Sequence, residues 1–266
     1  HLTERSRQLV NDAMDVHGGK GICMGPSNYL ARTYQQMPVS ITVEGANILT
    51  RNMIIFGQGA IRGHPYVLQE ITAANDSDKQ RALVAFDQAL IGHIAFSLRN
   101  VCRSFWYGLS SKNIKQIPEG ILSDTVDYYR QLTRFSAAFA LLTDIAMLKL
   151  GGALKRNERI SARLGDILSM LYLCSATLKR FEDDGRPAAD LPLLHWSIQD
   201  ALYRTQQAFD GLLRNFPGHF LLRGLMRILV FPLGMRLVPP ADALSNTVAR
   251  LILEPGEVRD RLTAGI

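Results

Sequence analysis

Apolar residues recur at three- and four-residue steps along most of this chain, the spacing that gathers them on one face of an α-helix. Val10, Met14 and His17 keep that step until Gly18-Gly19 stops it. A run rich in Gly, Pro, Ser and Asn from Gly18 to about Pro38 predicts a loop, and Asn47 to Phe56 predicts a helix ended by Gly57 and Gly59. Residues 60–77, with His64-Pro65 and Asn75-Asp76-Ser77, predict a polar connector. Longer helices follow. Lys79 to about Leu109 carries Leu83, Phe86, Leu90, Ile94 and Leu98 on one face, and Asp124 suits the N-cap of a helix reaching roughly Leu150. Ile160, Leu164, Ile167, Leu171 and Leu178 form the next stripe, ended by Gly185-Arg186-Pro187. Leu194, Ile198, Ala201, Thr205, Ala208 and Leu212 form another. Only Val39 to Val43 is β-branched enough to suggest a strand, and no repeat of fixed period is present. The prediction is an all-α protein.

Composition narrows this picture. The chain has 266 residues, 47% of them hydrophobic, enough for a substantial core and against disorder. Cys23, Cys102 and Cys174 stand far apart, which suits neither a disulfide framework nor a metal site and points to a reducing compartment. The net charge of +6 is mild, and no basic stripe is interleaved with aromatics, so nucleic acid is not an expected partner. The sequence starts at His1 and shows no signal peptide, which reads as a piece of a longer polypeptide.

The first sixty residues hold two motifs in a fixed order. "DAMDVHGGKGI", Asp12 to Ile22, is followed after a loop of roughly twenty residues by "VEGANILTRNMI", Val43 to Ile54. Together they resemble the C-terminal helical domain of flavin-dependent acyl-CoA dehydrogenases. That family ends a long helix in a diglycine turn and later presents a Glu-Gly pair and an arginine leading into its last helix. Gly18, Gly19 and Gly21 match the glycines, Glu44-Gly45 the catalytic pair, and Arg51 the arginine. The remainder, through "NIKQIPEG", "LPLLHWSIQDALY", "RILVFPLG" and "LEPGEVRDRLTAGI", is similar to the extra C-terminal region of the large bacterial long-chain members used in fatty-acid β-oxidation. On this resemblance, residues 1–60 end the dehydrogenase's helical domain, residues 61–77 connect, and residues 78–266 are an appended helical domain.

The resemblance implies FAD as cofactor, long-chain acyl-CoA as substrate and electron-transfer flavoprotein as electron acceptor. It also implies a homodimer or higher homo-oligomer, in a bacterial cytoplasm. Glu44 would be the base that takes the substrate's α-proton. Such a weak acid yields to a carboxylate only where water is excluded and the thioester carbonyl is polarised. Ile41 and Val43 suit that setting, and Gly45 lets backbone approach flavin or substrate closely. Gly18 and Gly19 sit where the family brings backbone N–H groups to the flavin dinucleotide of a neighbouring subunit. Three positions depart from the family pattern. Asp15 replaces a glutamine and faces away from the pyrophosphate or meets a sugar hydroxyl; Ala46 lacks a flavin-contacting hydroxyl; Val43 replaces an aromatic. Because most of the flavin and substrate site would lie in domains outside this sequence, the chain alone is expected to be inactive. Two alternatives stay open: a helical membrane-docking or interaction module with an inherited but inactive site, and a related flavoenzyme acting on another substrate.

Other residues have plainer readings. Arg51 suits a structural ion pair, while His17, His93 and His195 suit partnered histidines of core or boundary. Glu182-Asp183-Asp184 reads as a solvated helix C-terminus rather than a metal cluster. Gly211 to Ala241 contains Arg214, Arg223, Arg227 and Arg236 and no acid. This stretch, within 211–238, is either an interfacial helix on the inner membrane or a bundle helix whose arginines meet acids elsewhere.

Overall fold

The computed structural model describes residues 1–43, 45–115 and 117–264, and of Asn113 only the backbone. It is 80% helical, with no strand among the described residues. α1 is Leu2–His17 and α2 is Ala31–Thr42. α3 runs without a break through Asn47–Leu49, a π-helical stretch Thr50–Gln58 and Gly59–Gly63. α4 (Val67–Ala74) and α5 (Lys79–Leu109) follow, then the three helices that hold most of the core: α6 (Val126–Leu150), α7 (Glu158–Asp183) and α8 (Leu191–Asn215). α9 (Phe220–Val230), α10 (Asp242–Leu253) and α11 (Glu257–Thr263) close the chain.

The core lies between α6, α7 and α8, where Phe135, Leu142, Leu164, Ile167, Ile198 and Phe209 are fully enclosed. Phe135 stacks on Phe209 at 5.4 Å, and Phe231 closes edge-on against both. Each such ring removes a large apolar area from water, the main favourable contribution to folding. Phe56 of α3 is buried in this same core, so the segment that follows Glu44 is anchored to the bundle. Among the described residues α6 is the one helix apolar and long enough to cross a membrane, and it is the central core helix.

The stripes of α7 and α8 match the predicted ones. Asp78 caps α5 by accepting from the N–H groups of Gln80 and Arg81. Several expectations need correction. The predicted loop to Pro38 gives way to helix from Ala31, and the suggested strand at Val39–Val43 is helical through Thr42. Pro38 is accommodated inside α2 while Thr42 Oγ1 donates to its carbonyl at 2.6 Å. Gly57 and Gly59 do not end α3, because π-helical winding carries the chain past them while Phe56 packs inward. The connector contains α4. Asp124 lies in a single 3₁₀ turn before α6 rather than at its cap. On α5 the packed face is Ala89, Asn100 and Ser104, leaving Leu83, Leu90, Ile94 and Leu98 exposed.

Candidate functional site

Glu44 itself lies outside the described residues, but the turn that carries it is framed on both sides. α2 delivers Ile41 and Thr42; Gly45, at φ 111°, and Ala46 lead into α3. That φ is one a side chain rarely adopts, so glycine at 45 is required by the backbone. A cavity of about 570 Å³ opens here, lined by Ile41, Thr42, Ala46, Asn47, Ile48 and Arg51, with Glu4 of α1 and Gly165 of α7 completing it. Positions two or three residues either side of Glu44 therefore line one cavity with a largely apolar wall.

Three contacts hold this cavity in place. Asn47 Nδ2 donates to Glu4 Oε2 at 3.1 Å, and Thr3 Oγ1 donates to Asn47 Oδ1 at 3.0 Å, tying α1 to the start of α3. The Asn47 amide and Arg7 together hold Glu4 below the usual carboxylate range. On the opposite side, Arg51 grips Asp166 of α7 with two parallel bonds, Nε to Oδ1 at 2.7 Å and Nη2 to Oδ2 at 2.5 Å. This pairing holds the guanidinium charged and raises its pKa. Arg51 is thus the structural ion-pair partner that its sequence position suggested. The backbone oxygen of Arg51 would stand only 3.2 Å from a Cβ added at Gly165, so the two helices meet through that glycine.

The diglycine turn lies elsewhere. Gly18, at φ 60°, ends α1, and no heavy atom stands within 4 Å of a Cβ built at Gly18 or Gly19. Asp15 is exposed one turn before it. From Glu4, at the cavity, to Gly18 the helix runs about 21 Å at roughly 1.5 Å per residue. The structure therefore does not bring Gly18, Gly19 and Asp15 together with the Glu44 turn in one chain. The backbone at Gly18-Gly19 stands open, with nothing packed against it.

A constellation that sequence reasoning missed joins α3, α4, α5 and α6. His64 Nε2 lies 2.8 Å from Asp144 Oδ1, and Ser97 Oγ donates to Asp144 Oδ2 at 2.6 Å. His93 Nδ1 lies 2.8 Å from Glu70 Oε1, and its Nε2 is 3.7 Å from Asp144. Two histidines and an aspartate this close invite a metal reading, but the hydrogen bonds oppose it. His64 Nδ1 accepts the N–H groups of Tyr66 and Val67 at the head of α4, so the ring proton sits on Nε2 and is donated to Asp144. That nitrogen has no lone pair left for a metal. The group is a buried helix cap and cross-brace. His17 and His195 are likewise partnered, with the Ser27 carbonyl at 3.0 Å and the Tyr128 hydroxyl at 2.7 Å. Glu182, Asp183 and Asp184 pair with Arg186, Lys179 and Arg180 at the end of α7; Asp183 and Asp184 are exposed, whereas Glu182 is half-buried rather than solvated.

The described residues form an all-α bundle with a shorter helical segment clamped to its flank and a cavity where that segment turns. The model of the bacterial-type acyl-CoA dehydrogenase C-terminal domain matches residues 61–266, and the chain belongs to that family. No solved structure matches the chain.

Proposed function

We propose that this chain is the C-terminal part of an FAD-dependent acyl-CoA dehydrogenase that converts long-chain acyl-CoA to the trans-2-enoyl thioester in fatty-acid β-oxidation. The observation that carries the reading is the cavity lined from both sides of the Glu44 position by Ile41, Thr42, Ala46 and Asn47. Glu44 takes the α-proton onto its carboxylate, and its backbone N–H donates to the thioester oxygen, which stabilises the charge that develops there. The apolar wall excludes water and keeps the carboxylate basic enough to act. FAD, when bound, accepts the β-hydride. Gly45 provides close approach, Gly18 and Gly19 present open backbone to the dinucleotide, and Asp15 reaches a sugar hydroxyl.

The wide separation of the diglycine turn from the Glu44 turn supports a homodimer or higher homo-oligomer, each site completed by a second subunit. The exposed stripe Ile91, Ile94 and Leu98 on α5 supports the same reading. Electron-transfer flavoprotein is the proposed electron acceptor. For location we propose the bacterial cytoplasm with peripheral contact to the inner membrane through residues 211–238. In support, α9 keeps Met226 and Val230 buried while Phe220, Leu221, Leu225 and Ile228 face outward. Two arginines of this stretch behave as bundle residues instead: Arg214, before α9, and Arg227, within it, both pair with Asp210.

The test is anaerobic bleaching of the flavin in the full-length parent on adding palmitoyl-CoA, wild type against Glu44→Gln. Bleaching in the wild type with a mutant that binds yet stays yellow is expected. Equal bleaching in both would remove Glu44 as the base.

A further inference from the structure

A second cavity, of about 430 Å³, opens where the 3₁₀ turn Gly151–Arg156 leads into α7. It shares no lining residue with the cavity at the Glu44 turn. Arg156, Arg159 and Arg163 line it, and Asn215 and Pro217 form the facing wall past the end of α8. Among the described residues none of these three arginines has a hydrogen-bond, ion-pair or ring partner for its guanidinium. Glu158 is the one carboxylate on the lining, and it is drawn toward α3, where Asn52 Nδ2 donates to its Oε2 at 3.4 Å. Asp210 of α8 is already taken by Arg214 and Arg227.

Three unneutralised cations at one cavity are unfavourable in the free chain. Arg159 and Arg163 stand four residues apart on α7, a spacing at which like charges on a helix repel. Arg159 also lies in the first turn, where the helix dipole disfavours a cation. An anion bound among them relieves both costs. Gly211 of α8 gives the cluster its shape. A Cβ there would stand 3.1 Å from Arg163 Nε, so the missing side chain leaves Arg163 room to lie across α8.

We propose that this cavity binds a phosphate group. A phosphate monoester carries about two negative charges and three acceptor oxygens, enough to engage several guanidinium forks at once. A carboxylate offers a single charge and two oxygens, and leaves part of the cluster uncompensated. A free phosphorylated compound and a phospholipid headgroup present the same group, so either can be its source. The site forms without flavin and without Glu44, so it stands or falls separately from the proposed dehydrogenase reaction.

The experiment is an isothermal titration of the 266-residue chain with glycerol 3-phosphate at low ionic strength, repeated with acetate. One-to-one saturable binding of glycerol 3-phosphate, about tenfold or more tighter than acetate, is expected. Arg159→Gln should weaken it about tenfold or more while raising the thermal midpoint of the phosphate-free chain, an opposition that misfolding does not produce. Gly211→Leu changes no charge but takes the space of Arg163, and should weaken binding severalfold. Arg180→Gln, near the far end of α7, should leave it unchanged. Flotation with phosphatidylcholine vesicles, with and without phosphatidate, separates the two sources. Flotation that requires phosphatidate and is lost in Arg159→Gln assigns the headgroup; glycerol 3-phosphate binding without flotation assigns a free compound. Equal affinity for acetate, insensitivity to Arg159→Gln or to Gly211→Leu, or an equal loss on Arg180→Gln would each overturn the proposal.

Discussion

Arg51 and Asp166, 115 positions apart in sequence, join α3 to α7 through two parallel hydrogen bonds at 2.7 and 2.5 Å. This pair connects the helix that follows the Glu44 turn to the bundle, and its geometry suits only a planar fork. Arg51→Lys keeps the charge and loses the fork. Because the Arg51 side chain is 49% exposed, solvent screening limits the loss to about 1 kcal/mol. Thermal melting should fall by about 2–4 °C. An unchanged melt, or one fully restored by Asp166→Glu, would contradict the fork.

Gly165 is the point of closest approach on the same interface. Its substitution by alanine gains about 1 kcal/mol of helix propensity but sets a methyl 3.2 Å from the Arg51 carbonyl oxygen, a backbone atom with little room to move. Crowding of this kind costs about 1–3 kcal/mol. A net destabilisation in urea unfolding is expected, larger for Gly165→Val. On the proposed function, the same changes should also reduce acyl-CoA turnover, since they push α3 away from α7. A stabilised Gly165→Ala would show that the helices part freely.

His64 gives the fold a pH dependence of definite sign. Burial is the largest influence and lowers its pKa below 6.5, although Asp144 pulls the other way. The unfolded chain takes up this proton near 6.5, and the folded chain only at lower pH. The stabilising contribution of neutral His64 is therefore complete above about pH 6.5 and is lost as pH falls through the folded value. His64→Asn can still cap α4 but does not titrate. Urea midpoints of this variant and the wild type, compared from pH 7.5 to pH 5, should show the steeper acid decline in the wild type; parallel curves would refute the assignment.

The three cysteines should separate cleanly by reactivity. Cys23 and Cys102 are exposed, whereas Cys174 is buried in α7 and desolvation pushes its thiol up to about 12. Only thiolate reacts with iodoacetamide. Mass spectrometry should find two sites alkylated rapidly in the native protein and the third only in denaturant. Rapid native labelling of Cys174 would mean that α7 opens readily.

Much of this architecture was readable from residue spacing alone. The stripes of α7 and α8 are long and regular, and Gly185-Arg186-Pro187 separates them, so their periodicity names both the helix and its buried face. The two motifs around Gly18-Gly19 and Glu44-Gly45 were readable for a different reason, their resemblance to the family; Gly18 and Gly45 also hold φ 60° and 111°, which other residues rarely adopt. The α5 stripe misled, because Leu83, Leu90, Ile94 and Leu98 make a regular apolar face that this chain leaves exposed. Periodicity reports that a face is apolar and is silent on what covers it. Gly57 and Gly59 misled similarly, since packing of Phe56 into the bundle outweighs the weak helix propensity of two glycines.

The sequence by itself determined the helical class, the four long helices α5 to α8, the two motif blocks and the family to which the chain belongs, because each depends on neighbours within a few turns of chain. Tertiary structure alone decided that Arg51 would meet Asp166, that His64 would cap α4 while bracing Asp144, and that small residues on α6 would leave a cavity beside Asn100. Those relationships join residues up to 115 positions apart. No local spacing encodes them; they arise when buried area is maximised and the polar groups carried inside must find partners.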